Sequence, residues 1–113
     1  MALPADIPDE LVELIARRFR VIGEPMRIRL LNHLRTAELS VTQLVEATGA
    51  SQQNVSKHLG VLLEAGIVAR RKDRNQSIYR IADDTVFRLC DDVCGSIQRQ
   101  LEELGTILQE VTR

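Results

Sequence analysis

Residues 84–113 constrain this chain more than any other stretch. From Asp84 onward the apolar positions are Val86, Cys90, Val93, Ile97, Leu101, Leu104, Leu108 and Val111, at intervals of 4, 3, 4, 4, 3, 4 and 3. Alternating threes and fours keep every apolar side chain on one stripe of a long helix, the pattern of helices that pack lengthwise. A 113-residue domain has no internal need for such a stripe. A helix of about 28 residues carrying it calls for a partner to cover it. The spacing therefore predicts a dimerisation helix over 84–113, with the first helix (1–22) helping.

Composition narrows the class of chain that carries this helix. Apolar residues make up 44% and charged residues 27%, which excludes a wholly disordered chain. No apolar run approaches the ~20 residues that cross a bilayer, so no membrane role is expected. The opening residues MALPADIPDE have neither a basic start nor an apolar stretch, and are read as no signal peptide. Cys90 and Cys94 are too few for a disulfide scaffold, which with the absent export signal points to a reducing cytoplasm. There is no Trp, and Phe19, Phe87 and Tyr79 are the only aromatics. The core must be aliphatic, and a base-stacking platform for single strands is not expected.

Upstream of the long helix the pattern is of short helices and one hairpin. Leu11, Ile15, Phe19 and Ile22 predict a first helix over 9–22. Gly23-Glu24-Pro25 breaks it, and Pro25 suits the first turn of a second helix that turns Ile28, Leu31 and Leu34 inward and runs to about Thr36. Ser40-Val41-Thr42-Gln43 has the capping-box form and opens a third helix to about Thr48. After Gly49-Ala50, Ser51 is a good N-cap for a fourth helix with Val55, Leu59 and Leu62 buried, stopped by Gly66. Ile67 to Lys72 and Ser77 to Ile81 have strand character around the polar tetrad Asp73-Arg74-Asn75-Gln76, a two-stranded hairpin. Two short helices joined at Gly49 and followed by a basic hairpin have the layout of a winged helix-turn-helix. The expected architecture is one domain over 1–113, mainly α with a two-stranded β-hairpin wing. The helix-turn-helix lies at 40–66, the wing at 67–81, and a helical dimer interface comes from the first and last helices.

Charge and surface chemistry point the middle of this layout at nucleic acid. The formal net charge is −1, but it is segregated. Residues 51–81 carry Lys57, Arg70, Arg71, Lys72, Arg74 and Arg80 against Glu64 and Asp73, a balance of +4, while residues 82–113 stand at −4. A positive middle fits a local anion-binding surface. On the fourth helix Gln52, Gln53, Ser56, Lys57 and Gly60 share the face opposite the apolar stripe. A plain solvated helix face more often carries Glu–Lys pairs. Amides that donate and accept together suit bidentate reading of adenine in a major groove, and a residue without a side chain permits close approach. Arg70, Arg71, Lys72 and Arg74 approach the hairpin turn, where they can reach flanking phosphates. At the tip, Arg74 or Asn75 either enters a minor groove or stays solvated. Tyr79 and Ile81 alternate onto one face and are read as core.

These stretches resemble the ArsR/SmtB family of bacterial winged-helix repressors. The run SQQNVSKHLGVLLEAGIVARRKDRNQSIYRIAD is similar to that family's recognition helix and wing, GEPMRIRLLNHL to its second helix, and ELSVTQLVEATGAS to its third helix and turn. The resemblance spans about residues 15–85. It implies a sequence-specific regulator of double-stranded operator DNA: a homodimer that binds an imperfect palindrome, blocks transcription and dissociates on a ligand or redox signal. The DNA-binding set it implies is Gln52, Gln53, Ser56, Lys57, His58, Arg70, Arg71, Lys72, Arg74 and Asn75. The wing departs from the family pattern in having Arg74 where a tip Gly is common.

The family's usual metal sites do not match. Where many relatives place paired thiols on the third helix, this chain has Ser40 and Thr42. On the last helix Asp83 matches an expected acid, but Thr85 stands for a His, with Ser96 and Arg99 downstream. One carboxylate without imidazoles is a poor zinc or nickel site, and no metal or cofactor is expected. His33 and His58 lie on other helices, and His58 is read as packing or touching phosphate. Cys90 and Cys94, at i and i+4, are either small apolar residues on the dimer seam or a thiol sensor for an unidentified inducer. Their Cβ atoms would lie ~5–6 Å apart, beyond disulfide reach without distortion. Asp91 and Asp92 beside them disfavour the reactive thiolate. Two other classes stay in view. A thiol oxidoreductase would want CxxC spacing and alternating strands, both missing. A helical interaction module without DNA binding would leave the basic hairpin incidental.

Overall fold

In a computed structural model that describes residues 3–111, helices begin where a side chain or carbonyl satisfies the free N–H groups of the first turn. The order is α1 (Asp9–Ile22), α2 (Pro25–Leu34), β1 (Leu39–Ser40), α3 (Val41–Thr48), α4 (Gln52–Glu64), β2 (Val68–Asp73), β3 (Gln76–Ile81) and α5 (Thr85–Val111). Asp9 and Glu10 place negative charge at the start of α1. Glu24 caps α2 by accepting from the Arg27 N–H at 3.0 Å, with Pro25 in the first turn. The Ser40 hydroxyl accepts from the Gln43 N–H at 3.1 Å while the Gln43 side chain accepts from the Ser40 N–H at 2.8 Å, a complete capping box. Ser51 caps α4 through the Asn54 N–H at 3.1 Å.

The stops are equally local. Gly49 ends α3 at φ 72°, the left-handed conformation that glycine adopts without strain. At the end of α4 the Gly66 N–H donates to the Leu63 carbonyl and the Ile67 N–H to the Leu62 carbonyl, both at 3.0 Å. With Gly66 at φ 76° this is a Schellman stop, and Leu62 and Ile67 are both fully buried, as its apolar contact requires.

The chain divides at Asp83/Asp84 into two compact units. In the first, Leu30, Leu31, Leu34, Leu44, Val55, Leu59, Leu62, Ile67, Val68 and Tyr79 form the core. Three expectations need correction here. On α2 the inward stripe is Leu30, Leu31 and Leu34, whereas Ile28 is 45% exposed. Both sets satisfy helical spacing, and the packing of α3 and α4 selects between them. On α1 Ile22 is buried and Ile15 half-buried, but Leu11 and Phe19 lie exposed. The sheet has three strands, not two, in the order β1-β3-β2 and antiparallel throughout. Leu39 pairs with Tyr79 and Ser40 with Ile78, so the two residues leading into α3 clamp the root of the wing. So short a strand has no periodicity to read.

The hairpin between β2 and β3 is tighter than the tetrad implied. Asp73 pairs with Gln76, leaving a two-residue turn of Arg74 and Asn75. Arg74 sits at φ 60°, in the region glycine favours, so the departure at the tip is accommodated by a strained arginine.

The second unit is α5, a single helix of 27 residues. On its stripe Val93, Ile97, Leu101, Leu104 and Leu108 are exposed at 50–61%. No described helix is long and apolar enough to cross a membrane.

Candidate nucleic-acid interface

The chemistry of α4 divides cleanly by face. Val55, His58, Leu59 and Leu62 are buried, whereas Gln52, Gln53, Ser56, Lys57 and Gly60 are exposed. No atom lies within 4 Å of where a Cβ on Gly60 would sit, so internal packing does not require glycine there. A groove of about 410 Å³ runs along this face. Its walls are Ser40, Val41 and Thr42 at the start of α3, Gln52, Ser56 and Gly60 of α4, and Arg70, Asn75, Gln76, Ser77 and Tyr79 of the wing.

Strand pairing sorts the wing cations. Arg70 pairs with Tyr79 and Lys72 with Ser77, on the sheet face that carries the groove; Arg71 pairs with Ile78 and Ala69 with Arg80 on the other face. Arg71 is held there by Glu38 at 3.3 Å and Asp73 at 3.9 Å. Arg70, Lys72, Arg74 and Lys57 are exposed and form no ion pair among the described residues. Gln52, Ser56, Arg70 and Asn75 are thus brought together, with Gln53 and Lys57 on the adjoining α4 surface. Arg71 lies apart.

His58 is placed differently from the rest of the DNA-binding set. It is buried, and its Nδ1 accepts from Arg27 Nε at 3.1 Å, with Glu24 Oε2 at 3.6 Å. An imidazole in that position packs against Arg27 and Glu24. Partial burial works against ionisation of Glu24, but the Arg27 N–H, then His58, the Met26 N–H and the Arg27 charge together hold its carboxyl below the usual range. This Arg27-centred cluster has no sequence signature. Thr42, Gln76 and Ser77 also join the groove without having been read as site residues. Period-two alternation along β2 was the available signal for separating Arg70 and Lys72 from Arg71.

The sensing candidates are dispersed. Asp83, the matched acid, lies 3.9 Å from Arg18. Among the described residues no three His, Cys, Asp or Glu side chains gather closely enough to hold a metal ion. Cys90 is half-buried and Cys94 exposed, and neither is in a disulfide.

A helix with a polar outer face, a turn at Gly49 and a basic wing around one groove define a winged helix-turn-helix protein. The profile described as "Bacterial regulatory protein, arsR family" matches residues 24–70. An uncharacterised helix-turn-helix-type transcriptional regulator of Mycobacterium tuberculosis, Rv0081, is 34% identical over 104 residues, covering 91% of each chain. Its crystal structure aligns with a TM-score of 0.75 over 85% of this chain and 97% of that one, at 35% identity. The homodimeric winged helix-turn-helix DNA-binding domain of Mb0332 from Mycobacterium bovis aligns at 0.74, with 29% identity over 91% of this chain and 95% of that one. The transcriptional repressor BigR from Xylella fastidiosa aligns at 0.67, with 29% identity over 75% and 87% of the two chains. The chain belongs to the ArsR family of bacterial transcriptional regulators.

Proposed function

We propose that the protein is a cytoplasmic homodimeric repressor that reads operator DNA with α4 and grips its backbone with the wing. It acts by binding and release, not by catalysis. The observation that carries this reading is the groove, which puts the amide and hydroxyl of Gln52 and Ser56, the bare backbone of Gly60 and the unpaired Arg70 on one surface. Gln53 and Lys57 extend it along α4. Side chains of the first kind read base edges, whereas Arg70, Lys72 and Arg74 neutralise phosphate. The exposed α5 stripe supplies the dimer seam, with the exposed Leu11, Val12, Leu14 and Phe19 of α1 contributing. Two copies then present two α4 helices to two half-sites. Cys90 and Cys94 either pack on that seam or sense a thiol-reactive signal, and the inducer itself is unidentified.

The test is titration of the full chain onto its own upstream DNA and onto random DNA, across a salt series. Wild type is expected to favour one upstream site by about 1,000-fold or more. Gln53→Ala should cost ~1–3 kcal/mol at that site and leave random DNA unaffected. Equal affinity for both DNAs would overturn the repressor reading. Running wild type and Cys90→Ser/Cys94→Ser reduced and then oxidised tests the sensor, which requires that only wild type release DNA.

A further inference from the structure

We infer that Arg27 and His58 are positioning residues for operator binding: they hold the reading helix α4 to the α1–α2 corner through a hydrogen bond that exists only while the imidazole is neutral. The inference rests on the DNA-binding reading of α4.

Arg27 is the hub of the corner. Its Nη1 donates to the Val21 carbonyl at 2.8 Å and the Arg20 carbonyl at 3.5 Å, at the end of α1. Its main-chain N–H donates to the Glu24 cap of α2 at 3.0 Å. Its Nε donates to His58 Nδ1 on α4 at 3.1 Å. One guanidinium therefore ties three helices, and only the last of these bonds reaches α4.

His58 faces inward from the helix whose opposite face carries Gln53, Ser56 and Lys57. Gln53 and Lys57 lie within one or two turns of it along α4, so a shift at His58 moves the reading residues with it. Base-edge contacts tolerate displacements of only about 0.5 Å.

The bond has a definite proton requirement. An Nδ1 that accepts from Arg27 Nε carries a lone pair, which places the ring proton on Nε2. Protonation turns Nδ1 into a donor. The Arg27 Nε–H then meets a hydrogen, and Nδ1–H turns to Glu24 Oε2, 3.6 Å away. The titratable and charged groups set against the imidazole are Glu24, the cap of α2, and Arg27 in its first turn; α1 faces the corner with main-chain carbonyls. Among the described residues no charged side chain of α1, α3 or β2 bonds to the ring.

The sign of the effect is diagnostic. Acidification makes any protein more positive and so strengthens ordinary DNA binding. Loss of operator binding on acidification runs against that trend.

The experiment measures operator and random DNA binding by fluorescence anisotropy at fixed salt, from pH about 8 to about 5.5. The full-length wild type, His58→Asn and Arg27→Lys are compared. Asn carries its Oδ1 as many bonds from the main chain as Nδ1, accepts a hydrogen bond and does not titrate. Wild type is expected to lose about tenfold in operator affinity on acidification while random DNA holds or tightens. His58→Asn should bind within about threefold of wild type at pH 8 and show a flat operator profile. Arg27→Lys should lose about tenfold at every pH. Imidazole ¹⁵N shifts of the free wild type at pH about 8 should show the proton on Nε2. A proton on Nδ1 overturns the inference with no DNA present. So does a wild type that prefers its operator but has the same pH profile as His58→Asn. A wild type with no preference for its operator at any pH overturns the repressor reading as well.

Discussion

Leu59 and Leu101 are the same side chain in the same kind of element with opposite surroundings. On α4 Leu59 is fully enclosed, and on α5 Leu101 is 61% exposed. Each sits on an apolar stripe at helical spacing, so local sequence treats them alike. In the first unit α2, α3 and the sheet supply side chains that close over the α4 stripe. On α5, Val93, Ile97, Leu101, Leu104 and Leu108 all stand 50–61% exposed. The difference separates a part of the molecule that carries its own core from a helix whose apolar stripe stays exposed, the seam that the proposed dimer would cover.

Charge on the exposed α5 stripe should have the largest effect. Leu101→Glu/Leu108→Glu should convert the dimer to a monomer by light scattering and weaken operator binding by about 100- to 10,000-fold, the cost of losing two-site engagement. Helicity of the first unit, followed by circular dichroism, should persist. Loss of all folded structure would mean that the first unit has no independent core. Leu59→Ala is the complementary change. It should lower unfolding free energy by ~2–5 kcal/mol in denaturant titration, because it opens a cavity in an enclosed site. The same truncation at Leu101 in a monomeric background should cost far less, and equal costs would refute the contrast.

Smaller effects test the two faces of the wing. Arg70→Ala should lower the slope of log affinity against log salt by ~0.9 per protomer, one phosphate contact. Arg71→Ala should change the slope less, because Glu38 and Asp73 already neutralise that guanidinium. A larger slope change for Arg71 would move the phosphate contact to the other face. The smallest effect has opposite signs in two assays. Gly60→Ala should stabilise α4 by ~0.5–1 kcal/mol, since a Cβ there meets nothing. The same methyl intrudes on the groove and should weaken operator binding. Gains in both assays would remove Gly60 from the reading surface.

Much of the fold was legible because its signals are short-range. The Ser40–Gln43 capping box, the Ser51 cap, the left-handed stops at Gly49 and Gly66 and the α5 stripe each involve residues within one or two turns of each other. Local sterics and hydrogen bonding decide such features, and the neighbours that matter are adjacent in the chain. The polar face of α4 was legible for the same reason, because helical geometry alone places Gln52, Gln53, Ser56, Lys57 and Gly60 together.

Tertiary packing decided what depends on distant partners. Ile28 and Leu30 compete for the same interior on equal periodicity, and the placement of α3 and α4 favours Leu30. The pairing of Leu39 with Tyr79 creates a third strand from two residues that no pattern marks. Arg70 and Arg71 differ only in which side of a pleat they occupy, yet one lines the groove and the other is tied to Glu38. His58, a polar residue on the helix proposed to read DNA, is drawn inward by an arginine 31 positions earlier. A hydrogen bond across that separation exists only once α2 and α4 have packed, so no local rule could have assigned it.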